Sequence, residues 1–371
     1  MKEVSLTRRG FLAAAGAGLA AARAWASPCL QEAIVWRDVQ KWGVEGKGWT
    51  DTARYFDRLP ARAQGRVPPA VWDLSRHSAG MLVRFETDAT SLHARYSLLK
   101  ATLALPHMPA TGVSGLDVYA RDEEGRDRWL AVVKPTQQKM EVKLAANIDP
   151  RPGGKRRLYT VYLPLYNGVE SLEIGLPEGA SFEAVAPRRE LPLVFYGTSI
   201  MHGACASRPG MAIPAILGRR LGRPTVNLGF SGNGRMEPEV GELLAELEPA
   251  LYAIDCLPNM SPEQVAERAG PLVRQLRKAR PQTPILLVED RTFTSAPFFK
   301  TTRDLHAARR AALQKVYDRL RDEALGGLSY LQGEIQLGDD GEAATDGSHP
   351  SDLGMLRYAD AYEKVIRANL K

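Results

Sequence analysis

A serine near the middle of the chain lies where a nucleophile could be presented. Residues 192–196 are an apolar run that predicts a buried strand, Gly197 ends it, and Ser199 follows just before a helical pattern begins. The carboxyl ends of strands are where α/β proteins hold their reactive side chains. Because Gly-x-Ser is also a common turn, this reading of Ser199 requires a base, an orienting acid and oxyanion donors elsewhere in the chain.

An aspartate and a histidine near the C-terminus could complete this chemistry. Histidine titrates near neutrality, so His349 suits a base that takes the serine proton and later donates it to a leaving group. Asp346 lies three residues earlier and, in a tight loop, could accept a hydrogen bond from the other imidazole nitrogen. As alternatives, Asp346 could cap the last helix and His349 could be a surface residue before Pro350. Combined with Ser199, the pair predicts a Ser-His-Asp triad.

Two further polar segments follow predicted strands, at 227–234 (Asn-Leu-Gly-Phe-Ser-Gly-Asn-Gly) and 255–259 (Asp-Cys-Leu-Pro-Asn). With Gly-Thr-Ser-Ile and Asp-x-x-His, they resemble the four signature blocks of the SGNH (GDSL-type) hydrolases, in the same order. The resemblance covers residues 190–371, the second half of the chain. It implies an oxyanion hole formed by the backbone N–H groups of Ser199 and Gly232 and the side-chain amide of Asn259. A helix N-terminus at Ser199 would favour negative charge there.

The chain departs from the common family motifs in two blocks. The first block usually reads Gly-Asp-Ser, but here Thr198 replaces the acid. The third usually reads Gly-x-Asn-Asp, but here Pro258 precedes Asn259 and Met260 follows it. The missing acids are not triad members, so their absence does not exclude hydrolysis, but the polarity and hydrogen bonding of the pocket must differ. These departures indicate a branch of the family away from the ordinary Gly-Asp-Ser lipases.

Polar residues near these segments are candidates for substrate contacts. Those predicted to bind substrate are His202, Asn233, Arg235 and Arg291. For Arg291, which ends the fourth predicted parallel strand beside Glu289, a structural salt bridge is an equal alternative. Cys205 and Arg208 are further candidates for the pocket wall. The histidines outside the triad show no metal-ligand spacing, so neither a metal nor a cofactor is predicted.

The hydrophobic pattern divides the chain near residue 187. Over 27–187, apolar residues recur with period two in short segments separated by turn residues, as at Met81, Val83 and Phe85. Asp122-Glu123-Glu124-Gly125 is a hairpin-turn signal between two of these segments. The pattern predicts an antiparallel β-sandwich. It resembles the jelly-roll-like module that precedes the catalytic domain in some SGNH hydrolases, notably certain carbohydrate esterases.

Over 188–371, buried strands alternate with helices. Apolar runs at 192–196, 224–228, 251–255, 284–289 and 328–331 are separated by helical stretches near 208–221, 237–247, 262–279, 301–325 and 351–369. Alternating strands and helices form a parallel sheet covered on both faces. The predicted fold class is α/β, a flavodoxin-like three-layer domain of about five parallel strands after the sandwich.

The first 26 residues resemble a twin-arginine export signal. Thr7-Arg8-Arg9-Gly10-Phe11-Leu12 opens an apolar stretch too short to span a bilayer, and Ala24-Trp25-Ala26 fits a cleavage site. We therefore expect a periplasmic or secreted protein without a stable membrane anchor. Residues 1–26 carry four basic residues and one acidic residue, so this segment holds half of the chain's net charge of +6. The small remaining charge argues against nucleic acid as a partner.

The residues and the resemblance together predict an exported serine esterase that works through an acyl-enzyme. The resemblance points to removal of O-acetyl groups from carbohydrate, with an acylated carbohydrate or another small ester as substrate. A short-chain lipid or aryl esterase is the alternative within the same chemistry. A carbohydrate-binding protein with an inactive hydrolase domain is the alternative of another class. The three cysteines do not suggest a disulfide framework, and free thiols at Cys205 and Cys256 are favoured over a bridge between them.

Overall fold

Two antiparallel sheets form the first half of the described chain, which spans residues 32–370 in this computed structural model. Their strands are β1 (Ile34–Asp38), β2 (Leu82–Thr87), β3 (Leu92–Leu98), β4 (Asp117–Arg121), β5 (Asp127–Val132), β6 (Lys139–Ala145), β7 (Arg157–Tyr162), β8 (Val169–Pro177) and β9 (Phe182–Val185). One sheet has the order β1-β8-β3-β6 and the other β5-β4-β7-β2-β9. Two short helices, α1 (Pro69–Ser75) and α2 (Ala110–Val113), lie between strands. The predicted export signal and Cys29 lie outside the described residues.

The alternating sequence pattern places one face of each antiparallel sheet in a common core. Phe85 and Val161 from one sheet and Ile174 from the other are fully buried in the same hydrophobic cluster. Successive residues of a strand point to opposite faces, so period-two apolar residues produce this single buried layer. The predicted sandwich is confirmed, and the predicted turn at 122–125 connects β4 to β5.

The second half contains a five-stranded parallel sheet covered by helices. Its elements are β10 (Leu193–Gly197), α3 (Ser199–His202), α4 (Ile213–Leu221), β11 (Thr225–Gly229), α5 (Pro238–Glu246), β12 (Leu251–Asp255), α6 (Pro262–Ala279), β13 (Ile285–Val288), α7 (Lys300–Asp322), β14 (Leu328–Leu331) and α8 (Asp352–Asn369). The strand order β11-β10-β12-β13-β14 is the flavodoxin-like order. Separate hydrophobic clusters cover the two faces of the sheet. The predicted α/β fold is therefore confirmed.

The strand register aligns the three polar segments at one edge of the sheet. Gly197, at the end of β10, pairs with Gly229 of β11 and Asp255 of β12. The strands are parallel, but β11 and β12 lie on opposite sides of β10, so the strand order reverses there, and open α/β sheets bind ligands at such a switch point. The residues that follow β10, β11 and β12 therefore meet in the crevice where chemistry is expected.

The segment before β2 also packs on the parallel sheet. Trp49, Leu59 and Val71 belong to the same core cluster as Tyr196 of β10 and Leu228 of β11. From Ile34 onward the chain forms a single compact unit. The two halves of the sequence thus share buried surface, and residues of the first half can support the catalytic edge.

Every helix within residues 32–370 is too short or too polar to cross a membrane.

Candidate active site

The tight turn between β10 and α3 presents Ser199. Gly197 is required there because a Cβ atom at this position would lie 2.6 Å from the carbonyl oxygen of Asp255. Thr198 is the N-cap of α3, and its hydroxyl accepts a hydrogen bond from the backbone N–H of Ile200 at 3.4 Å. The threonine that replaces the usual acid therefore caps the short helix that carries the nucleophile.

A continuous hydrogen-bond chain links Ser199 to the C-terminal loop. The hydroxyl Oγ of Ser199 lies 2.8 Å from Nε2 of His349, and Nδ1 of His349 lies 2.7 Å from Oδ2 of Asp346. The second oxygen of Asp346 accepts the backbone N–H groups of Ser348 and His349 at 3.0 and 2.8 Å. Partial burial raises the pKa of Asp346, but these hydrogen bonds outweigh it and lower the pKa to about 2.

The charge on Asp346 determines how His349 can act. An ionised carboxylate accepts only, so it favours the tautomer in which Nδ1 of His349 carries the proton. Nε2 is then an acceptor facing the Ser199 hydroxyl. The three predicted triad residues are thus brought together in the order that proton abstraction requires.

The loop after β11 packs directly on the serine turn. The backbone N–H of Phe230 donates to the carbonyl oxygen of Gly197 at 2.9 Å. Gly232 is exposed and has φ +68°, a conformation that favours glycine. The side-chain amide of Asn259, just after β12, donates to the carbonyl oxygen of Asn233 at 2.7 Å. An amide nitrogen carries two hydrogens, so one of them remains for an oxyanion.

The four predicted substrate contacts have different surroundings. Asn233 is half-buried and Arg235 is exposed on the loop that carries Gly232, and the Arg235 guanidinium donates to the Gly232 carbonyl oxygen at 2.9 Å. Asn233 and Arg235 therefore remain candidates for substrate contact. His202 and Arg291, by contrast, are buried, and both predictions need correction.

His202 lies beneath the serine turn and is fully buried. Its ring stacks on Tyr166 at a centroid distance of 4.1 Å, and its Nε2 lies 3.4 Å from Nδ1 of His77. Burial and the nearby charge of Arg58 lower the pKa of His202 well below its usual value, so the ring is neutral. The Tyr166 hydroxyl reaches the carbonyl oxygen of Ser199 at 3.4 Å. His202 therefore supports the turn and presents no face to substrate.

Arg291 holds the loop that carries the catalytic histidine. It is 2% exposed, and its Nε donates to the carbonyl oxygen of Ser348 at 3.0 Å. The guanidinium also contacts the Ser348 hydroxyl and pairs with Asp290. Because Ser348 immediately precedes His349, the structure favours a positioning role for Arg291 over substrate contact.

Arg58, a buried residue near the site, was not predicted from the sequence. It is 2% exposed, and its guanidinium donates to the carbonyl oxygens of Asn227 and Gly229 at 3.0 and 2.8 Å and to those of His77 and Leu74 at 3.0 and 2.7 Å. Burial lowers its pKa to about 9. Arg58 ties the first half of the chain to the end of β11, and nothing in its sequence context distinguishes it from a surface arginine.

Cys205 and Cys256 are both free and buried, which agrees with the predicted free thiols. Cys205, with the carboxylate of Asp346 and the imidazole of His349, is the one group among the described residues that could hold a metal ion. Their ligand atoms lie within 4.8 Å of one another.

Comparisons with known proteins agree with this architecture. The model of the GDSL-like lipase/acylhydrolase family matches residues 190–367, and the model of the N-terminus of SGNH-hydrolase-type esterases matches residues 34–182. A protein described as a GDSL-like lipase from Bacteroides ovatus is 32% identical, with a TM-score of 0.86 over 91% of this chain and 98% of its own. No curated protein matches the chain.

More distant solved structures share the fold. A salicylyl-acyltransferase from a tetracycline biosynthetic pathway is 18% identical, with a TM-score of 0.70 over 92% of this chain and 99% of its own. An acetyl xylan esterase from the rumen bacterium Butyrivibrio proteoclasticus is 12% identical, with a TM-score of 0.55 over 91% and 98%. At these identities the likeness concerns the fold alone. The two matching family models and the Bacteroides ovatus relative show that the chain belongs to the SGNH (GDSL-type) hydrolase family of esterases and acylhydrolases.

Proposed function

We propose that the protein is an exported serine esterase that removes O-acetyl groups from carbohydrate through an acyl-enzyme. The observation that carries this proposal is the hydrogen-bond chain Ser199–His349–Asp346 at the N-terminus of α3. A serine hydroxyl is a weak nucleophile, and Nε2 of His349, at 2.8 Å, is within reach to accept its proton.

In the proposed mechanism, Ser199 attacks the ester carbonyl while His349 accepts the serine proton. Asp346 remains ionised and stabilises the resulting imidazolium. The tetrahedral oxyanion is bound by the backbone N–H groups of Ser199 and Gly232 and the free amide hydrogen of Asn259. His349 then protonates the departing alcohol. A water molecule activated by His349 attacks the acyl-enzyme and releases the acid.

The carbohydrate substrate is supported by the architecture and by the proposed location. Family-two carbohydrate esterases from Cellvibrio japonicus and Clostridium thermocellum share the fold, as does the acetyl xylan esterase. The twin-arginine-like segment at 7–12 supports export to the periplasm or beyond, where the enzyme would meet extracytoplasmic glycans and their O-acetyl esters. Fold likeness does not transfer a substrate, so acetylated glycan is the hypothesis to be tested.

The test compares the wild type with Ser199→Ala and with Ser171→Ala, a matched change on the exposed surface of the sandwich. Acetate release from acetylated xylan and hydrolysis of p-nitrophenyl esters of increasing acyl length are measured. We expect the wild type and Ser171→Ala to release acetate, and Ser199→Ala to lose about 10³-fold or more in kcat. A fluorophosphonate should label Ser199.

Three outcomes would contradict parts of the proposal. Acetate release that survives Ser199→Ala excludes the nucleophile. Hydrolysis of short-chain p-nitrophenyl esters without acetate release from acetylated xylan favours a short-chain lipid or aryl esterase. Glycan binding without hydrolysis of any ester favours a binding protein with an inactive hydrolase domain.

A further inference from the structure

A thiol lies beside the acid and the base of the proposed triad. Cys205, Asp346 and His349 each offer a ligand atom, and these three atoms lie within 4.8 Å of one another. Cys205 is 7% exposed, whereas the side chains of His349 and Asp346 are 26% and 41% exposed. The cluster therefore combines a buried thiol with two ligands that an ion can reach from solvent.

The backbone holds Cys205 in this position. The residue has φ +67°, an uncommon conformation for a side chain with a Cβ atom. The preceding residues are tied to the serine turn, because the N–H groups of Gly203 and Ala204 both donate to the carbonyl oxygen of Ser199 at 3.0 and 2.9 Å. The thiol is thus placed next to the C-terminal loop by the same turn that presents the nucleophile.

We propose that Cys205, Asp346 and His349 form an inhibitory site for a thiophilic divalent cation such as Zn²⁺ or Cd²⁺. Thiolate, imidazole and carboxylate are the ligands that Zn²⁺ takes, at about 2.0–2.3 Å. Tetrahedral binding at those lengths needs ligand atoms roughly 3.3–3.8 Å apart. Nδ1 of His349 and Oδ2 of Asp346, which lie 2.7 Å apart, must therefore separate, and the thiol must approach within that range of both. A water molecule fills the fourth position.

The arrangement of hydrogen bonds predicts how the ion inhibits. Nε2 of His349 faces Ser199 and Nδ1 faces Asp346, so Nδ1 is the nitrogen that we assign to the metal. Binding at Nδ1 displaces its proton, and the neutral imidazole then carries its proton on Nε2. That nitrogen becomes a donor toward Ser199 and can no longer accept the serine proton. The thiol releases one proton to solvent, and thiolate and carboxylate together balance the two charges of the ion.

The inhibition rests on the proposed role of His349, but binding of the ion does not. The site is distinct from a catalytic metal centre, because the proposed mechanism uses no metal. Treatment with EDTA should therefore not abolish the esterase activity.

The experiment uses the purified full chain after treatment with EDTA and buffer exchange. Zn²⁺ is titrated while hydrolysis of p-nitrophenyl acetate is followed, and Cd²⁺ is titrated while the ultraviolet absorption of the cadmium–thiolate bond is recorded. We expect reversible inhibition of the wild type that EDTA relieves. Inhibition is expressed relative to each variant's own metal-free rate. Loss of the thiol should raise the Zn²⁺ concentration needed for half inhibition by at least about tenfold, as expected when a metal site is impaired.

Two variants remove the thiol, Cys205→Ser and Cys205→Gly; glycine suits the positive φ at this position. Cys256→Ser and Cys29→Ser remove the other thiols and should keep both the inhibition and the absorption band. Ser199→Ala should keep the band while losing activity, which separates failure of this site from failure of the proposed esterase. The proposal is overturned if Zn²⁺ does not inhibit an active wild type, or if the band is absent or survives both Cys205 variants.

Discussion

At the residue scale, the site separates groups that react from groups that hold them. Ser199, His349 and Asp346 form the reacting chain. Arg291 touches none of the reacting atoms in that chain, but it binds the carbonyl oxygen of Ser348 at 3.0 Å, directly before His349. A base must stand within hydrogen-bond reach of its proton, so the backbone that carries His349 matters as much as the imidazole itself.

Replacement of Arg291 by methionine should lower kcat with little change in KM. Loss of the Ser348 contact frees the histidine loop, and a displacement of about 1 Å can cost about 10²-fold in rate. Steady-state kinetics on p-nitrophenyl acetate measure the two parameters. Arg309→Met is the matched control, because Arg309 also pairs with Asp290, at 2.8 Å, but its Nε donates to the carbonyl oxygen of Met260 and not to Ser348. A raised KM with unchanged kcat would instead support the substrate contact predicted from the sequence.

At the scale of elements, the chain before β2 acts as a support for the catalytic edge. Arg58 donates to two carbonyl oxygens at the end of β11, and the loop that follows carries Gly232. The guanidinium of Arg58 also lies over the aromatic ring of Phe230, with its carbon 5.0 Å from the ring centroid. A planar guanidinium with five donors can bind several carbonyls at once, which a lysine cannot reproduce.

We expect Arg58→Met to lower both stability and kcat. The variant leaves buried carbonyl oxygens without donors, at a cost of about 1–3 kcal/mol for each. Urea unfolding and steady-state kinetics on p-nitrophenyl acetate measure the two effects, and Arg58→Lys should restore only part of either. Arg62→Met serves as the control, because Arg62 forms exposed ion pairs with Asp51 and Glu246. A wild-type kcat in Arg58→Met would show that the support is not needed for catalysis.

At the scale of the whole molecule, polar groups in the interior connect the layers. Asp117 of β4 is fully buried and accepts from the backbone N–H of Gly210 at 2.7 Å and from Arg208 at 2.9 Å. Asp255 of the central strand β12 accepts from the Tyr362 hydroxyl of α8 at 2.7 Å. Burial raises the pKa of Asp255 to about 7. The core thus contains a carboxyl group that prefers to be neutral.

This carboxyl group predicts a stability that falls as pH rises. An unfolded aspartate loses its proton near pH 3.9, whereas folded Asp255 keeps it up to about pH 7. Between these values the folded state binds more protons, so the free energy of unfolding decreases with pH and then levels off. Asp255→Asn should remove this contribution. Its free energy of unfolding relative to that of the wild type should therefore increase from pH 5 to pH 8.

Urea unfolding at the two pH values measures the difference for Asp255→Asn. Asp360→Asn, on the exposed face of α8, should show no such gain. An equal difference between wild type and Asp255→Asn at both pH values would contradict the prediction.

Much of the fold and the centre of the site could be predicted because their signals are local. Period-two and alternating strand–helix patterns depend on neighbouring residues, and Asp346 and His349 lie three residues apart in one loop. His202 and Arg291 were predicted as substrate contacts because they follow strands at the catalytic edge. Both are buried, and the direction in which a polar side chain faces depends on the segments that pack over it.

The sequence by itself determined the order of the elements, the nucleophile turn and the spacing of acid and base. Each depends on short-range constraints: a glycine where backbones approach, a cap before a helix, a tight loop. Only the tertiary structure decided that Arg58 would bind carbonyls 169 and 171 residues away and that Cys205 would lie beside Asp346 and His349. Such contacts arise when segments that are distant in the sequence pack against each other. No local sequence pattern indicates which residues will meet.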